Sequence, residues 1–505
     1  MEWVLVTVLS LFAALLFDNA RKNAARAQRV RLAYEGLRTF SPASPGSARF
    51  ADNKDLRKAG LFKGKGVAIG FFGGRALHYP GPGHILTVAG ARRGKGATLL
   101  VNALLQWMYS VLVIDPKGEN AAITGHWRRR FGSVFVVNPF GMLLDALKGL
   151  KQARYNPMDI LNPALPSFHA DCDKLAAAVV WDEGNGDGKY FAAAARVLVS
   201  GVIAALARHA APEKRNLVEV ARVISGGDVF TFCQNAMQSP DPFIIQKLAR
   251  FAKPDAEKSR EVCDVVATAS NGLAFIANAA IAESLSASDF RFSDLKRKPG
   301  TTVYICLPLG KLDICDKYFR LLLECFLSEL LDEGRRGKGK RVLAIIDEMA
   351  QLGPHMKSLE NAMGMAAGAA GIQLWSVLQD LSQLKGMFPN TWETFIQNCG
   401  VTTWFGAQDH TTRDYVSKLA GTCEVAVPSR SVSLDRMTGE PQQSDSCGIH
   451  TKPLLAPHEV GSMIAPDEMI AFIEGVRCGP VKAKRRFYFK CWGLRGYRKN
   501  PYVGK

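Results

Sequence analysis

Residues 84–100 read HILTVAGARRGKGATLL, and this segment narrows the possible folds more than any other stretch of the chain. An apolar run (85–89) passes through a loop of small and basic residues into Gly94-Lys95-Gly96 and then a helical pattern. A strand, a glycine-bearing loop and a helix start, with lysine at the join, form a cradle for phosphate. Glycine at 94 and 96 lets backbone N–H groups turn inward with no Cβ in the way. The helix N-terminus adds the positive end of its dipole, and Lys95 adds a mobile charge for the outer phosphates. The cradle residues are Ala89, Gly90, Ala91, Arg92, Arg93, Gly94, Lys95, Gly96 and Ala97. Two positions depart from the common pattern. Ala89 opens the loop where glycine is usual, and Gly96 stands where a Ser or Thr normally holds Mg2+; Thr98 is the nearest hydroxyl for that role.

From Ile85 onward short apolar runs alternate with amphipathic helical patterns, which predicts an α/β protein with a parallel sheet. Strands are expected at 85–89, 111–115, 134–138, 302–307, 342–347, 373–377, 401–405 and 468–472. Most are continuous Val/Ile/Leu runs, as burial on both faces requires. The 342–347 run, within RVLAIIDEMAQLG, ends in Asp347-Glu348. At the C-terminal edge of a parallel sheet these carboxylates sit beside the phosphate loop. Asp347 is then the candidate Mg2+ ligand and Glu348 the group that polarises an attacking water. Acidic residues also close ordinary strands, so the upstream loop decides between the two readings. Gln379, just past 373–377, is placed to touch a γ-phosphate; a plain loop glutamine is the alternative.

Between 163 and 289 the strand pattern stops and helical patterns follow one another at 191–210, 217–223, 244–252 and 257–284, an inserted all-helical domain. Residues 428–448, rich in Ser, Gln and Asp, read as an exposed loop. The 11 cysteines show no metal-ligand spacing and suit a reducing compartment. The formal net charge of +18 calls for an acidic partner, whether nucleic acid, anionic lipid or nucleotide. The tail at 484–499 interleaves basic residues with Phe487, Tyr488, Phe489, Trp492 and Tyr497. That pattern suits nucleic-acid contact by charge and stacking, or packing of a final strand. Residues 3–17 carry no charge, and Arg21, Lys22, Arg26, Arg29 and Arg31 follow. A membrane anchor with the rest of the chain in the cytoplasm fits this order. A helix there spans about 22 Å, short of the ~30 Å hydrocarbon core. A buried helix and a signal peptide are the alternatives, but only Glu2 precedes the run where a signal peptide carries positive charge.

Several further segments occur together: VLVIDPKGEN (111–120), NPF (138–140), YNPMDIL (155–161), IIDEMAQLG, NCGVTTWFGAQDHTTRDYVSKLAGT (398–422) and KPLLAPHEV (452–460). With the phosphate loop, and in this order, they resemble the type IV secretion coupling proteins, the TraG/TraD-like conjugative ATPases, over residues 84–488. The resemblance implies a RecA-like P-loop NTPase core with a parallel sheet, an inserted all-helical domain for substrate or accessory recognition, and an N-terminal membrane anchor. The corresponding spans are 1–20 for the anchor, 21–80 for a basic N-terminal segment, 81–162 with 290–505 for the nucleotide-binding domain, and 163–289 for the insert. It also implies ATP and Mg2+, a homo-hexamer, and a place in the bacterial inner membrane, which the one apolar run at 3–17 makes single-pass. The implied cargo is DNA with its relaxase, or effector proteins, handed to the type IV secretion channel. Two features depart from the family. One short anchor candidate stands where two transmembrane helices are usual, and Gly368 stands where some members carry an arginine finger. Arg413 is the candidate replacement, acting in trans. Two other readings remain open at this level: a DNA translocase of the FtsK/HerA type, and a nucleotide-gated receptor that hydrolyses little. If residues 3–17 anchor the chain, the protein should stay with membranes through a high-salt wash, and deletion of residues 1–20 should release it. Salt extraction of the full-length protein would contradict the anchor.

Overall fold

The computed structural model describes residues 21, 22, 24, 47–181, 187–332, 341–353, 356–434, 441–462, 464–491 and 493–503. The expected anchor at 3–17 lies outside the described residues. The chain divides into two compact units. One comprises Asp414–Pro457 with the residues up to Phe50, and the other Ala51–Arg413 with His458–Lys505.

The strands in chain order are β1 (Val67–Phe72), β2 (Arg75–Tyr79), β3 (His84–Val88), β4 (Val111–Ile114), β5 (Val134–Val137), β6 (Lys151–Gln152), β7 (Thr302–Ile305), β8 (Val342–Ile346), β9 (Ile372–Leu378), β10 (Cys399–Trp404), β11 (Thr422–Leu434), β12 (Pro441–Pro453), β13 (Glu468–Ile473) and β14 (Val481–Lys484). In the larger unit twelve of them form one sheet in the order β2-β1-β14-β13-β10-β3-β9-β8-β4-β7-β5-β6. The eight from β10 to β6 run parallel. The other four join antiparallel at the β10 edge. All residues of β3, β4, β7, β8 and β9 are buried, which explains why these segments are mostly apolar rather than alternating.

Register fixes where the loops emerge. Val88 of β3 pairs with Leu378 of β9, Ile346 of β8 with Ser376 of β9, and Ile346 with Ile114 of β4. β3 and β9 therefore end level, and β8 and β4 end level with each other two residues short of them. The residues that follow them share one edge, the usual ligand edge of an open α/β sheet.

Packing and polar satisfaction hold the sheet. Trp375 and Trp404 are fully enclosed. Each removes on the order of 200 Å² from water, roughly 5 kcal/mol of hydrophobic stabilisation at ~25 cal/mol/Å². The Trp375 indole N–H donates to Thr87 Oγ1 at 2.9 Å, and Thr87 shares a 2.8 Å bond with Thr403, so the enclosed indole donor is satisfied across β3, β9 and β10. Arg128 is buried at the opposite edge. It donates to Thr302 Oγ1 (2.9 Å) and to the carbonyls of Leu104 (3.2 Å), Tyr109 (2.6 Å) and Trp107. One guanidinium thus ties the 107–110 turn to the start of β7. Burial lowers its pKa to about 10, so it stays charged at neutral pH.

The helical stretch falls between β6 and β7, from Phe168–Val179 to Ala279–Leu285. Asp187–His209 packs against Phe168–Val179, Pro242–Leu248 and Arg260–Leu273. Within it Gly188–His209 is long and apolar enough to cross a membrane, and its apolar window is 67% buried among its neighbours, as in a core helix. The continuous helix expected over 257–284 is instead broken: Arg260–Ala277 and Ala279–Leu285 meet at 92°. Asn278 makes the break, because its side chain accepts from the N–H groups of Ala280 and Ile281 and caps a new helix.

Two other expectations need correction. Residues 67–79, assigned to the N-terminal segment, supply β1 and β2 of the main sheet, reached through β14, which leads into the basic tail. Residues 428–448 are largely hairpin rather than loop: β11 and β12 pair antiparallel from Thr422↔Pro453 to Leu434↔Pro441. Backbone pairing suffices there, with no sustained apolar alternation to announce it.

Arg128→Met keeps most of the side-chain volume but leaves three carbonyls without their donor. It should destabilise the sheet unit by about 2–3 kcal/mol, read as an earlier denaturant midpoint. An unchanged midpoint would show that the clamp contributes nothing.

Candidate functional site

The β3–helix junction forms the candidate phosphate cradle. Ala89 is buried and its N–H donates to Leu378 O (2.9 Å), so the loop starts flush with β9. Arg92 takes a left-handed φ of 59° and Gly94 a φ of 78°, and this pair of reversals turns the chain back on itself. Only Gly94 does so without a steric cost. Ala91, Arg92 and Arg93 are exposed, whereas Lys95 is 9% exposed. A wide helical turn, Gly96–Leu100, continues into the α-helix Val101–Gln106. Thr98, the candidate substitute for the missing hydroxyl, is buried, and its hydroxyl donates to Gly94 O at 2.8 Å.

Across the cradle stand the ends of β8 and β9. Lys95 Nζ lies 2.7 Å from Glu348 Oε1 and 4.0 Å from Asp347 Oδ1. Gln379 Nε2 donates to Glu348 Oε2 at 3.0 Å, while its own N–H donates to Gln383 Oε1 at 2.9 Å. Three residues picked from separate stretches of sequence therefore form one hydrogen-bonded chain. Glu348 sits at φ 58°, ψ 52°, left-handed for a non-glycine residue, which costs on the order of 1 kcal/mol. Burial works to raise its pKa, yet the hydrogen bonds from Gln379 and Lys95 outweigh it and hold the carboxyl below the ordinary range.

Asp347 is in the opposite situation. Burial pushes its carboxyl up to about 6, against the pull of Lys95. Its Oδ1 is buried and accepts no hydrogen bond. Beside it, at the end of β4, burial pushes Asp115 up to about 7, although the Ala121 N–H donates to it at 2.8 Å. Asp347 adds to that rise by repulsion. Two crowded acidic groups, one with a lone buried oxygen, suit a divalent cation at the phosphate edge.

Arg413 follows β10 on the same side of the sheet. Its guanidinium donates to Ala407 O (2.9 Å) and Gln408 Oε1 (3.0 Å), and no hydrogen bond or ion pair joins it to Lys95, Glu348 or Gln379. Around Gly368 there is open space: a Cβ there would meet nothing within 4 Å.

The residue that sequence reasoning missed is Arg485. It was one of many cations in the basic tail, yet it is 6% exposed. It donates to Arg93 O (2.6 Å), Glu468 O (3.0 Å) and Pro466 O, and its guanidinium lies 3.9 Å from the Phe405 ring centroid. The alternation of Val481, Ala483 and Arg485 inward along β14 was the available signal. The tail then lies on the cradle helix: Asn102 Nδ2 donates to Arg486 O (2.8 Å), and Tyr488 is buried with Val101, Leu105 and Ile123. Phe487 and Phe489 remain exposed, and Trp492 lies outside the described residues.

The family pattern for Type IV secretory system Conjugative DNA transfer matches residues 49–500. The chain belongs to that family. Among coupling-family relatives, it is similar to the conjugal transfer protein TraG of Escherichia coli, 25% identical over 88% of this chain and 76% of TraG. It is also similar to protein VirD4 of Agrobacterium fabrum (strain C58 / ATCC 33970), 28% identical over 88% of this chain. The chain spans 66% of the length of VirD4. Its fold matches the conjugative coupling protein TrwB in complex with the ATP analogue ADPNP, with TM-score 0.65 and 16% identity over 88% of this chain and 96% of TrwB. TrwB with ADP and Mg2+ matches with TM-score 0.63 over 91% and 97%. The larger unit thus contains a RecA-like P-loop core.

Removal of the Arg485 clamp in Arg485→Ala should speed amide exchange across residues 90–96 by about tenfold, as expected for one lost charged hydrogen bond. Lysine cannot span three carbonyls, so Arg485→Lys should not restore the wild-type rate. Unchanged exchange would mean that the loop holds its shape alone.

Proposed function

We propose that this chain is an ATP-hydrolysing coupling protein that recruits DNA, with its relaxase, or protein substrates and delivers them to a type IV secretion channel. The observation that carries the reading is the Lys95–Glu348–Gln379 chain at one sheet edge, 2.7 Å and 3.0 Å between partners. The names and contents of the relatives support the nucleotide: TrwB binds ADPNP, and ADP with Mg2+.

The roles follow from the chemistry of each side chain. Backbone N–H groups from Gly90 to Ala97 receive the phosphates. Lys95, already desolvated and paired with Glu348, can exchange that carboxylate for a phosphate without a fresh desolvation cost. Glu348, released from Lys95 and still held by Gln379, is free to orient and polarise water. Gln379 couples that carboxylate to the β9 end, where the presence of a γ-phosphate would be felt. Asp347, with its bare Oδ1, would hold Mg2+, which neutralises charge on the phosphates; Thr98 offers its hydroxyl only if it leaves Gly94 O. An arginine from a neighbouring subunit, with Arg413 the candidate, would complete the site in a homo-hexamer. The charge of +18 suits a DNA cargo, and residues 3–17 would hold the assembly at the inner membrane as a single-pass protein.

Lys95→Ala should weaken ATP binding and abolish turnover. Glu348→Gln should bind ATP nearly as wild type yet turn over at least about 100-fold more slowly. Equal turnover in wild type and Glu348→Gln, measured with DNA present to promote assembly, would contradict the motor and favour a nucleotide-gated receptor.

A further inference from the structure

Two phenylalanines lie in solvent beside the candidate phosphate cradle. Phe487 is 41% and Phe489 53% exposed. Their rings stack with centroids 5.2 Å apart and planes 20° from parallel. A Cβ built on Gly94 would lie 3.8 Å from Phe487 Cε1 and 3.7 Å from Thr98 Cγ2, so the ring edge reaches the cradle itself.

The backbone beneath this pair is fixed. Arg485 is pinned to Arg93 O on one side, Asn102 holds Arg486 O, and Tyr488 is buried against Val101, Leu105 and Ile123 on the other. Residues 485 and 488 point inward and 487 and 489 outward, so the rings are held at a set distance from the loop. Two exposed, stacked phenyl rings on a rigid base carry a hydrophobic cost that a flat aromatic ligand would remove. A ligand whose phosphates occupy the cradle necessarily places its base nearby.

We propose that Phe487, backed by Phe489, is the stacking platform for the base of the bound nucleoside triphosphate. This rests on the nucleotide-binding reading above and adds the element that receives the base. Stacking reads a π-face rather than a hydrogen-bond pattern, so the platform accepts ATP and GTP alike. Strands of nucleic acid could stack on the same rings, but adjacency to Gly94 favours the ligand whose phosphates end there.

The experiment is equilibrium binding by the full chain to ATP, GTP, inorganic tripolyphosphate and a single-stranded oligonucleotide. Phe487→Leu should weaken ATP and GTP by about tenfold and leave tripolyphosphate unchanged. Phe487→Trp should retain ATP affinity, and the new indole emission should respond to ATP but not to tripolyphosphate. Equal loss for ATP and tripolyphosphate would overturn the platform and reduce Phe487 to a support of the loop. Loss of oligonucleotide binding with ATP affinity intact would overturn it in favour of a nucleic-acid contact. A wild-type chain that binds ATP no better than Phe487→Leu overturns the platform alone, whereas a wild-type chain that binds no ATP overturns the functional reading with it.

Discussion

The 2.7 Å contact between Lys95 and Glu348 is the point on which the rest of the arrangement depends. An ammonium group buried to this degree needs an anion, and leaving one unpaired costs several kcal/mol. The sheet provides the anion by register. β9 ends level with β3 and β8 two residues short of them, so a carboxylate two residues past β8 meets a lysine one loop past β3. In the proposed function the pair stands in for the phosphate-bound state: Lys95 is already out of water, and a triphosphate would replace one anionic partner with another.

The same edge concentrates negative charge. Asp347 and Asp115 both have carboxyl groups pushed upward by burial, and they repel each other. Glu348 escapes this because Lys95 and Gln379 hold it in the charged form. Burial thus raises the two aspartates while hydrogen bonds lower Glu348, a division that suits the proposed cation-holding role of Asp347 and water-orienting role of Glu348. The tail closes the far side of the cradle, with Arg485 tying the loop to the strand that precedes it.

Much of this was legible in sequence because the central strands are buried on both faces and read as unbroken apolar runs. Such runs mark both a strand and its end, so Lys95, Glu348 and Gln379 could be picked out before any coordinates. The missing parts lack that signal. The β11–β12 hairpin carries Ser and Gln where an apolar alternation would be expected. The break at Asn278 depends on a side-chain cap that competes with a continuous helix. Arg485 carries the same charge as the exposed cations around it, and only the pairing of β14 with β13 turns it inward. The joining of residues 67–79 to the sheet depends on contacts hundreds of residues away, which local pattern cannot convey.

The exchange of partners at Lys95 is most directly observed in a structure of the full chain with ADPNP and Mg2+. Lys95 Nζ should leave Glu348 and lie within about 3 Å of a phosphate oxygen, as charge-assisted hydrogen bonds do. Glu348 should stay on Gln379, and Asp347 Oδ1 should face the metal shell. A bound nucleotide with Lys95 still on Glu348, or density for the phosphates away from residues 90–97, would contradict the assignment.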